Sequence, residues 1–208
     1  MNIKKDVVCI GGGIMSVTLA RLLQELDSDI DITIYEKLAS CALESSQSIN
    51  NAGTGHAGFC ELNYTPMNRQ QHINVDRALK INKEFEVSLE FWSFLTRKYK
   101  SFKPKSFITQ VPHISYVKGE KNISFLKKRY EALSKTPLFK DMQFSRNKET
   151  IKEWAPLIAK DLKDDIAMTR INYGSDVDFE SLCLISFSIR APWREKSNLA
   201  FSSIGCSS

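Results

Sequence analysis

The chain has 208 residues and a net charge of +5, with 42% hydrophobic and 25% charged residues. That balance belongs to a folded globular protein and excludes a disordered or fibrous chain. The length suffices for one ordinary domain with a real core, or for one domain and part of a second.

The opening residues set the fold class. Asp6 to Ile10 is a short run rich in β-branched residues that ends at Gly11, Gly12 and Gly13. It reads as a buried parallel strand entering a tight turn. Lys4 and Lys5 ahead of it imitate a secretory signal, but the glycines interrupt the apolar run, and the protein is expected to be cytoplasmic. Residues 14–26 repeat apolar side chains at Leu19, Leu22, Leu23 and Leu26, which predicts a helix. Ile30, Ile32, Ile34 and Tyr35 then supply a second strand. A strand, helix and strand of this length make a right-handed parallel crossover.

Small polar residues at 45–58 predict a loop. Asn74 then caps a long helix with apolar positions at Ala78, Ile81, Phe85, Leu89, Trp92 and Leu95. Extended structure is expected over residues 107–117 around Pro112, and a helix over 124–133 that stops before Pro137. A short helix near 149–154 should stop at Pro156, and residues 166–173 alternate like a strand before a turn at Gly174. From about Ser181 the chain is crowded with serine, is interrupted by Pro192, and shows neither a clean helical stripe nor a convincing strand. A disordered terminus is the simplest expectation there.

Five cysteines (Cys9, Cys41, Cys60, Cys183 and Cys206) form no C-x-x-C pair and no Cys/His metal spacing. This predicts a reducing compartment and no metal site. Cys9 reads as a small core residue. No apolar run approaches the ~18 residues that cross a bilayer. Basic stretches occur at Lys98, Tyr99, Lys100, Phe102, Lys103 and Lys105, and at Lys127, Lys128 and Arg129. Either suits anionic lipid headgroups or nucleic acid, although a solvated helix face is the simpler expectation and no nucleic-acid partner is predicted.

The chemistry starts at Gly11-x-Gly13-x-x-Ser16, placed between the first strand and the first helix. The first glycine permits the tight turn, the second lets a pyrophosphate approach the backbone, and the third position must be small for the helix to pack on the strand. Ser16 stands where glycine or alanine is usual. The helix start, including Ile14, offers unpaired amides to phosphate. Glu36 ends the second strand, where a carboxylate can accept hydrogen bonds from ribose hydroxyls. Both FAD and NAD use such a unit. In the loop after it, Ser46, Asn51, Gly53 and Thr54 would suit the polar edge of a large flat ligand, and would equally suit an ordinary surface loop.

Several strings resemble one family, the malate:quinone oxidoreductases. They are residues 6–16, Asn50-Asn51-Ala52-Gly53-Thr54-Gly55-His56, Cys60-Glu61-Leu62-Asn63-Tyr64-Thr65-Pro66, Val111-Pro112-His113-Ile114-Ser115, residues 128–133, Glu153-Trp154-Ala155-Pro156-Leu157 and residues 174–179. The resemblance implies an α/β fold with a Rossmann-like FAD-binding domain plus part of an α+β substrate domain. It implies residues 1–74 in the former, 75–180 in the latter and 181–208 as a divergent tail. It also implies oxidation of (S)-malate to oxaloacetate, with FAD passing electrons to a membrane quinone, and peripheral attachment to the inner face of the cell membrane. A base must then take the malate hydroxyl proton, and His56 and His113 are the candidates; Arg170 is the candidate carboxylate clamp. A related FAD-dependent 2-hydroxyacid or amine oxidoreductase and a non-catalytic nucleotide-binding fragment are the alternatives. Because the resemblance fades after Phe179, a frameshift or truncation is expected, with the sheet's flanking strands missing and the chain poorly stable and inactive alone.

Overall fold

The computed structural model describes residues 6–159, 165–189 and 194–197, so Lys4, Lys5, Pro192 and Cys206 lie outside the described residues. The chain divides into two compact units. The first takes in Met1–Gly53, Ser93–Thr109 and Val177–Ser208, and the second Thr54–Trp92 and Gln110–Asp176.

The first unit is built on a parallel sheet. β1 (Asp6–Ile10) and β2 (Asp31–Glu36) pair from Asp6↔Asp31 to Ile10↔Tyr35, and α1 (Ile14–Leu26) connects them. Ile32 and Ile34 alternate inward on β2 and are fully buried among Cys9, Val17, Ala20, Cys41, Ala42 and Cys183. The buried face of α1 differs from the leucine stripe expected from sequence. Val17, Ala20, Arg21 and Gln24 are buried, while Leu19, Leu22 and Leu26 are exposed. Both faces obey helical spacing, and small side chains at 17 and 20 are the ones that let a helix lie close on a strand.

The tail is ordered where it is described, against the expectation. α6 (Phe179–Ser188) is capped by Asp178, whose carboxylate accepts from the Ser181 amide (2.9 Å) and the Ser181 hydroxyl (2.7 Å). β6 (Arg194–Ser197) pairs parallel with β2, from Thr33↔Arg194 to Glu36↔Ser197, so the strand order is β1-β2-β6. The expectation that every flanking strand is missing is therefore corrected: one flank of β2 is filled from within the chain.

A polar cluster fixes the far end of α1. Glu25 accepts from Arg21 (2.9 Å), from Lys98 (2.5 Å) and from the Tyr99 hydroxyl (2.7 Å). Arg21 also lies 5.3 Å from the Tyr99 ring centroid.

The second unit holds most of α2 (Asp76–Lys98) and of β3 (Ile108–Lys118), together with α3 (Glu120–Leu133), β4 (Gln143–Ser145), α4 (Lys148–Trp154), the single turn α5 (Pro156–Ala159) and most of β5 (Ile166–Val177). The Asn74 side chain accepts the Asp76 amide at 2.9 Å, the predicted cap. Asn147 caps α4 through the Thr150 amide at 3.0 Å. Pro156 does stop α4, yet it also opens α5, since its missing N–H is no loss at a first helical position. The sheet order is β3-β5-β4. Ile166, Ala167, Met168 and Thr169 are buried in succession, as a central strand covered on both faces must be.

Gly174 is not the expected turn. β5 continues through it to Val177, because the glycine provides clearance rather than a bend: a Cβ there would sit 2.3 Å from the His113 ring.

Burial alone would raise the Glu25 carboxyl, but the hydrogen bonds from Lys98 and Tyr99 and the charge of Arg21 hold it below its ordinary value. A carboxyl lowered on folding adds stability that is present above its unfolded pKa and disappears as pH falls through the folded one. Glu25→Gln should therefore destabilise the chain at neutral pH and narrow its stability difference from the parent as pH falls below the ordinary carboxylate range. Thermal melts across that range measure this, and a difference independent of pH would refute it.

Candidate functional site

The glycine turn has the geometry that its sequence pattern requires. Gly11 adopts φ +88, open to glycine and strained for other residues, and its amide donates to the Tyr35 carbonyl at 2.7 Å, tying the end of β1 to β2. The Gly12 amide donates to Glu36 Oε2 at 2.6 Å, and Glu36 Oε1 accepts the Leu38 amide at 2.8 Å. Both carboxylate oxygens are thereby oriented, and each keeps lone-pair capacity for a further donor. The Ile14 amide donates to Ser46 Oγ at 2.9 Å, so Ser46 caps α1 from a distant loop. The remaining amides of the first turn have no acceptor within the helix.

These groups open on a cavity of about 460 Å³. Gly11, Gly13, Ile14, Ser16, Glu36 and Ser46, all singled out from sequence, lie on its wall. Asn51, Gly53 and Thr54 do not. Asn51 folds its loop instead: its amide group donates to the carbonyls of Ser45 (3.1 Å) and Gln47 (2.8 Å), and its oxygen accepts the Gly53 amide at 2.9 Å. Gly53 turns the chain at φ +62, and Thr54 bridges to Asp176.

Sequence reading missed Lys37 and Ala42 on the same wall. Lys37 is exposed beside Glu36, and a cation next to the carboxylate that ends the second strand was a usable signal. Ala42 gave none. It sits at φ 67, a left-handed conformation rare for alanine, and its amide donates to the Gly12 carbonyl at 3.1 Å. This turn packs so tightly on Gly12 that a Cβ there would lie 2.4 Å from Cys41 Sγ and 3.1 Å from the Cys41 backbone. Cys183 Sγ also reaches the Gly12 carbonyl at 3.4 Å.

The other candidates lie in the second unit. His56 is exposed, with Nδ1 3.3 Å from Glu61 Oε1. His113 is buried and committed at both ring nitrogens. Its Nε2 donates to the Ser175 carbonyl at 3.1 Å, and its Nδ1 faces Cys60 Sγ at 3.9 Å. Phe59 packs edge-on against the ring. Both ring nitrogens of His113 thus have partners inside the unit, whereas the His56 ring is exposed and meets only Glu61 among the described contacts. Burial first, then the neighbouring Glu61, pushes the Cys60 thiol up to about 11, which keeps it a thiol near neutral pH. Arg170 lies 5.8 Å from the Trp154 ring centroid, and its Nε is buried without a hydrogen-bond partner.

Sequence reading also missed the environment of Arg129. Its guanidinium is fully buried, with Nε on Thr65 Oγ1 (3.0 Å) and Nη2 on the carbonyls of Gly58 (3.2 Å) and Phe59 (3.0 Å). Burial lowers its pKa to about 10, against the opposing effect of Cys60 and Glu61.

The Gly12 contact gives a test of the turn. Gly12→Ala should cost about 2 kcal/mol, the usual scale for forcing extra volume into a packed site. Adding Cys41→Ala should recover part of that loss. Melting temperatures of the two variants decide it, and a Gly12→Ala chain as stable as the parent would contradict the packing described.

Comparison with known proteins places this geometry. The malate:quinone oxidoreductase family profile matches residues 3–198, so the match continues past Phe179, where the strings quoted from the sequence end. A probable malate:quinone oxidoreductase of Exiguobacterium sibiricum is 50% identical over 184 residues, covering 88% of this chain and 37% of that protein. One from Hahella chejuensis is 50% identical over 185 residues, again 88% of this chain and 37% of the relative. The chain thus spans well under half the length of these curated relatives. Among solved structures, L-α-glycerophosphate oxidase from Mycoplasma pneumoniae, reduced with dithionite and with FAD bound, has a TM-score of 0.58 at 16% identity, covering 94% of this chain and 45% of that one. Glycine oxidase from Bacillus cereus has a TM-score of 0.55 at 18% identity, over 94% and 46%. These likenesses establish the α/β, Rossmann-like fold. The sequence match from residue 3 to residue 198 establishes that the chain belongs to the malate:quinone oxidoreductase family.

Proposed function

We propose that this chain supplies the adenosine-diphosphate grip and part of the substrate site of an FAD-dependent enzyme that oxidises (S)-malate to oxaloacetate and delivers the electrons to a membrane quinone. The observation that carries the reading is the Gly12 amide held 2.6 Å from Glu36 at the mouth of an open cavity.

The residues fit the cofactor. Gly11 has nothing within 4 Å of where a Cβ would stand, so the turn leaves clearance for phosphate oxygens. First-turn amides and the helix dipole attract the pyrophosphate. Glu36, already aligned by two amides, uses its remaining lone pairs for the ribose hydroxyls and would repel a 2′-phosphate. Bound there, FAD supplies the group that accepts hydride from malate.

The chain's own part in catalysis falls to the second unit. His56, oriented by Glu61, removes the proton from the malate hydroxyl as hydride leaves the adjoining carbon. Arg170 takes a malate carboxylate, for which its fork of donors is suited. His113 holds Ser175 and Cys60 in place rather than meeting substrate. Asn51 and Gly53 shape the loop that follows Ser46. The setting is the inner face of the cell membrane, where quinone is dissolved, with attachment peripheral; no helix among the described residues is long and apolar enough to cross a bilayer.

The test is a chimera in which residues 3–198 replace the matching stretch of the Exiguobacterium sibiricum relative. The purified protein should be yellow and should reduce a soluble quinone with malate. Glu36→Ala should weaken FAD binding at least about tenfold, the scale of one hydrogen bond to a charged group. His56→Gln should lower kcat by roughly 10²-fold or more with FAD still bound. A colourless chimera, or one that oxidises glycine or 2-hydroxyglutarate in preference to malate, would overturn the reading.

A further inference from the structure

From Phe91 to Gly119 the chain has no acidic residue, while Arg97, Lys98, Lys100, Lys103 and Lys105 fall within nine positions. The structure turns this run into a fixed surface. After α2 ends at Lys98, the Phe102 amide donates to the Tyr99 carbonyl (3.0 Å), the Lys103 amide to Ser101 (3.1 Å) and the Phe107 amide to Pro104 (3.0 Å). Leu95, Phe102 and Phe107 are buried beneath the run, the two phenylalanine rings 5.0 Å apart. With its apolar residues locked inward, the segment presents its five cations outward, all exposed.

Counter-charge is scarce. Glu25 reaches Lys98 from below and neutralises it, and Arg97 is held by the Ser93 hydroxyl at 2.9 Å. Among the described residues, no carboxylate lies within ion-pair distance of Lys100, Lys103 or Lys105. Phe94, 39% exposed, lies 5.6 Å from the Lys98 ammonium, an aromatic edge at the rim of the cations.

Two polyanions suit such a surface, and the aromatic residues separate them. Single-stranded nucleic acid needs exposed ring faces on which bases stack. Here Phe102 and Phe107 are buried, and Tyr99 is half-buried with its hydroxyl on Glu25. An anionic bilayer needs only several cations within a Debye length of its headgroups, with flexible stems and a partly exposed ring at the rim. We propose that residues 97–105 form a docking surface for an anionic lipid bilayer. The inference deepens the reading above and rests on it for its purpose, since quinone is reached only at a membrane; the binding itself needs neither flavin nor malate.

The experiment is sedimentation of the 208-residue chain with vesicles of phosphatidylcholine alone and of phosphatidylcholine with phosphatidylglycerol. Binding should require the anionic lipid and weaken steeply with added salt. Each basic residue near such a surface contributes about fivefold, so Lys100→Glu/Lys103→Glu/Lys105→Glu should weaken partitioning by about a hundredfold or more. The neutral set Lys100→Gln/Lys103→Gln/Lys105→Gln should fall between it and the parent. A control with the same change in net charge, Lys121→Glu/Lys127→Glu/Lys140→Glu, should bind nearly as the parent does. Absence of binding by the parent, an equal loss in the control, or stronger binding to a single-stranded oligonucleotide than to the anionic vesicles would each overturn the proposal. Vesicle binding by the chain together with a chimera inactive on malate would defeat the functional reading alone.

Discussion

The hydrogen bond between the Gly12 amide and Glu36 joins everything in the first unit that bears on chemistry. It links the turn after β1 to the end of β2, and it holds only because those strands are parallel and in register from Asp6↔Asp31 to Ile10↔Tyr35. A shift of register by one residue would carry Glu36 away from the turn and reverse the inward alternation of Ile32 and Ile34. Packing and chemistry thus constrain the same few residues. The turn is pressed on one side by Cys41 and Cys183 while Gly11 and Gly13 line an open cavity, so Gly12 has no room for a side chain, and at Gly11 backbone conformation rather than space excludes one.

How much of this was legible follows from which signals are local. The order strand, glycine turn, helix, strand and carboxylate is written in consecutive residues, and the structure reproduces it within a residue at each boundary. The orientation of α1 was not legible. Leucines at 19, 22 and 26 outweigh Val17 and Ala20 on any hydrophobicity count, yet the smaller residues face the sheet because close approach decides that contact. α6 was missed for another reason: Leu182, Cys183, Leu184, Ile185 and Phe187 make it apolar nearly all round, which erases the periodicity that marks a helix. The signal that survived was its cap, Asp178 three residues ahead of Ser181. Gly174 shows the limit from the opposite side, since a glycine that clears a histidine ring and one that makes a turn look alike in sequence.

The candidate site was legible in part for the same reason. Gly11, Gly13, Ile14, Ser16 and Glu36 act through backbone and a single carboxylate within one βαβ unit, so spacing alone places them. Ser46 reached the same cavity from a loop, where only composition could point to it. Ala42 and Arg129 act through contacts distant in sequence. Thr65 and Arg129 are an example of such distance: 64 positions apart, they meet only in the folded chain.

Arg129 shows how packing in the second unit bears on its chemistry. A fully buried guanidinium is costly unless its donors are satisfied, and here Nε and Nη2 are satisfied by the hydroxyl of Thr65 and the carbonyls of Gly58 and Phe59, while Nη1 is buried without a hydrogen-bond partner. Those acceptors bracket Cys60 and Glu61, so the cation fixes the short loop that carries the Glu61 carboxylate. That carboxylate meets His56 at 3.3 Å, while the thiol beside it meets His113. The buried charge therefore orders the partners of both histidines at once. A lysine could supply the charge but not the flat fork that spans a hydroxyl and two successive carbonyls, which is why the position calls for arginine.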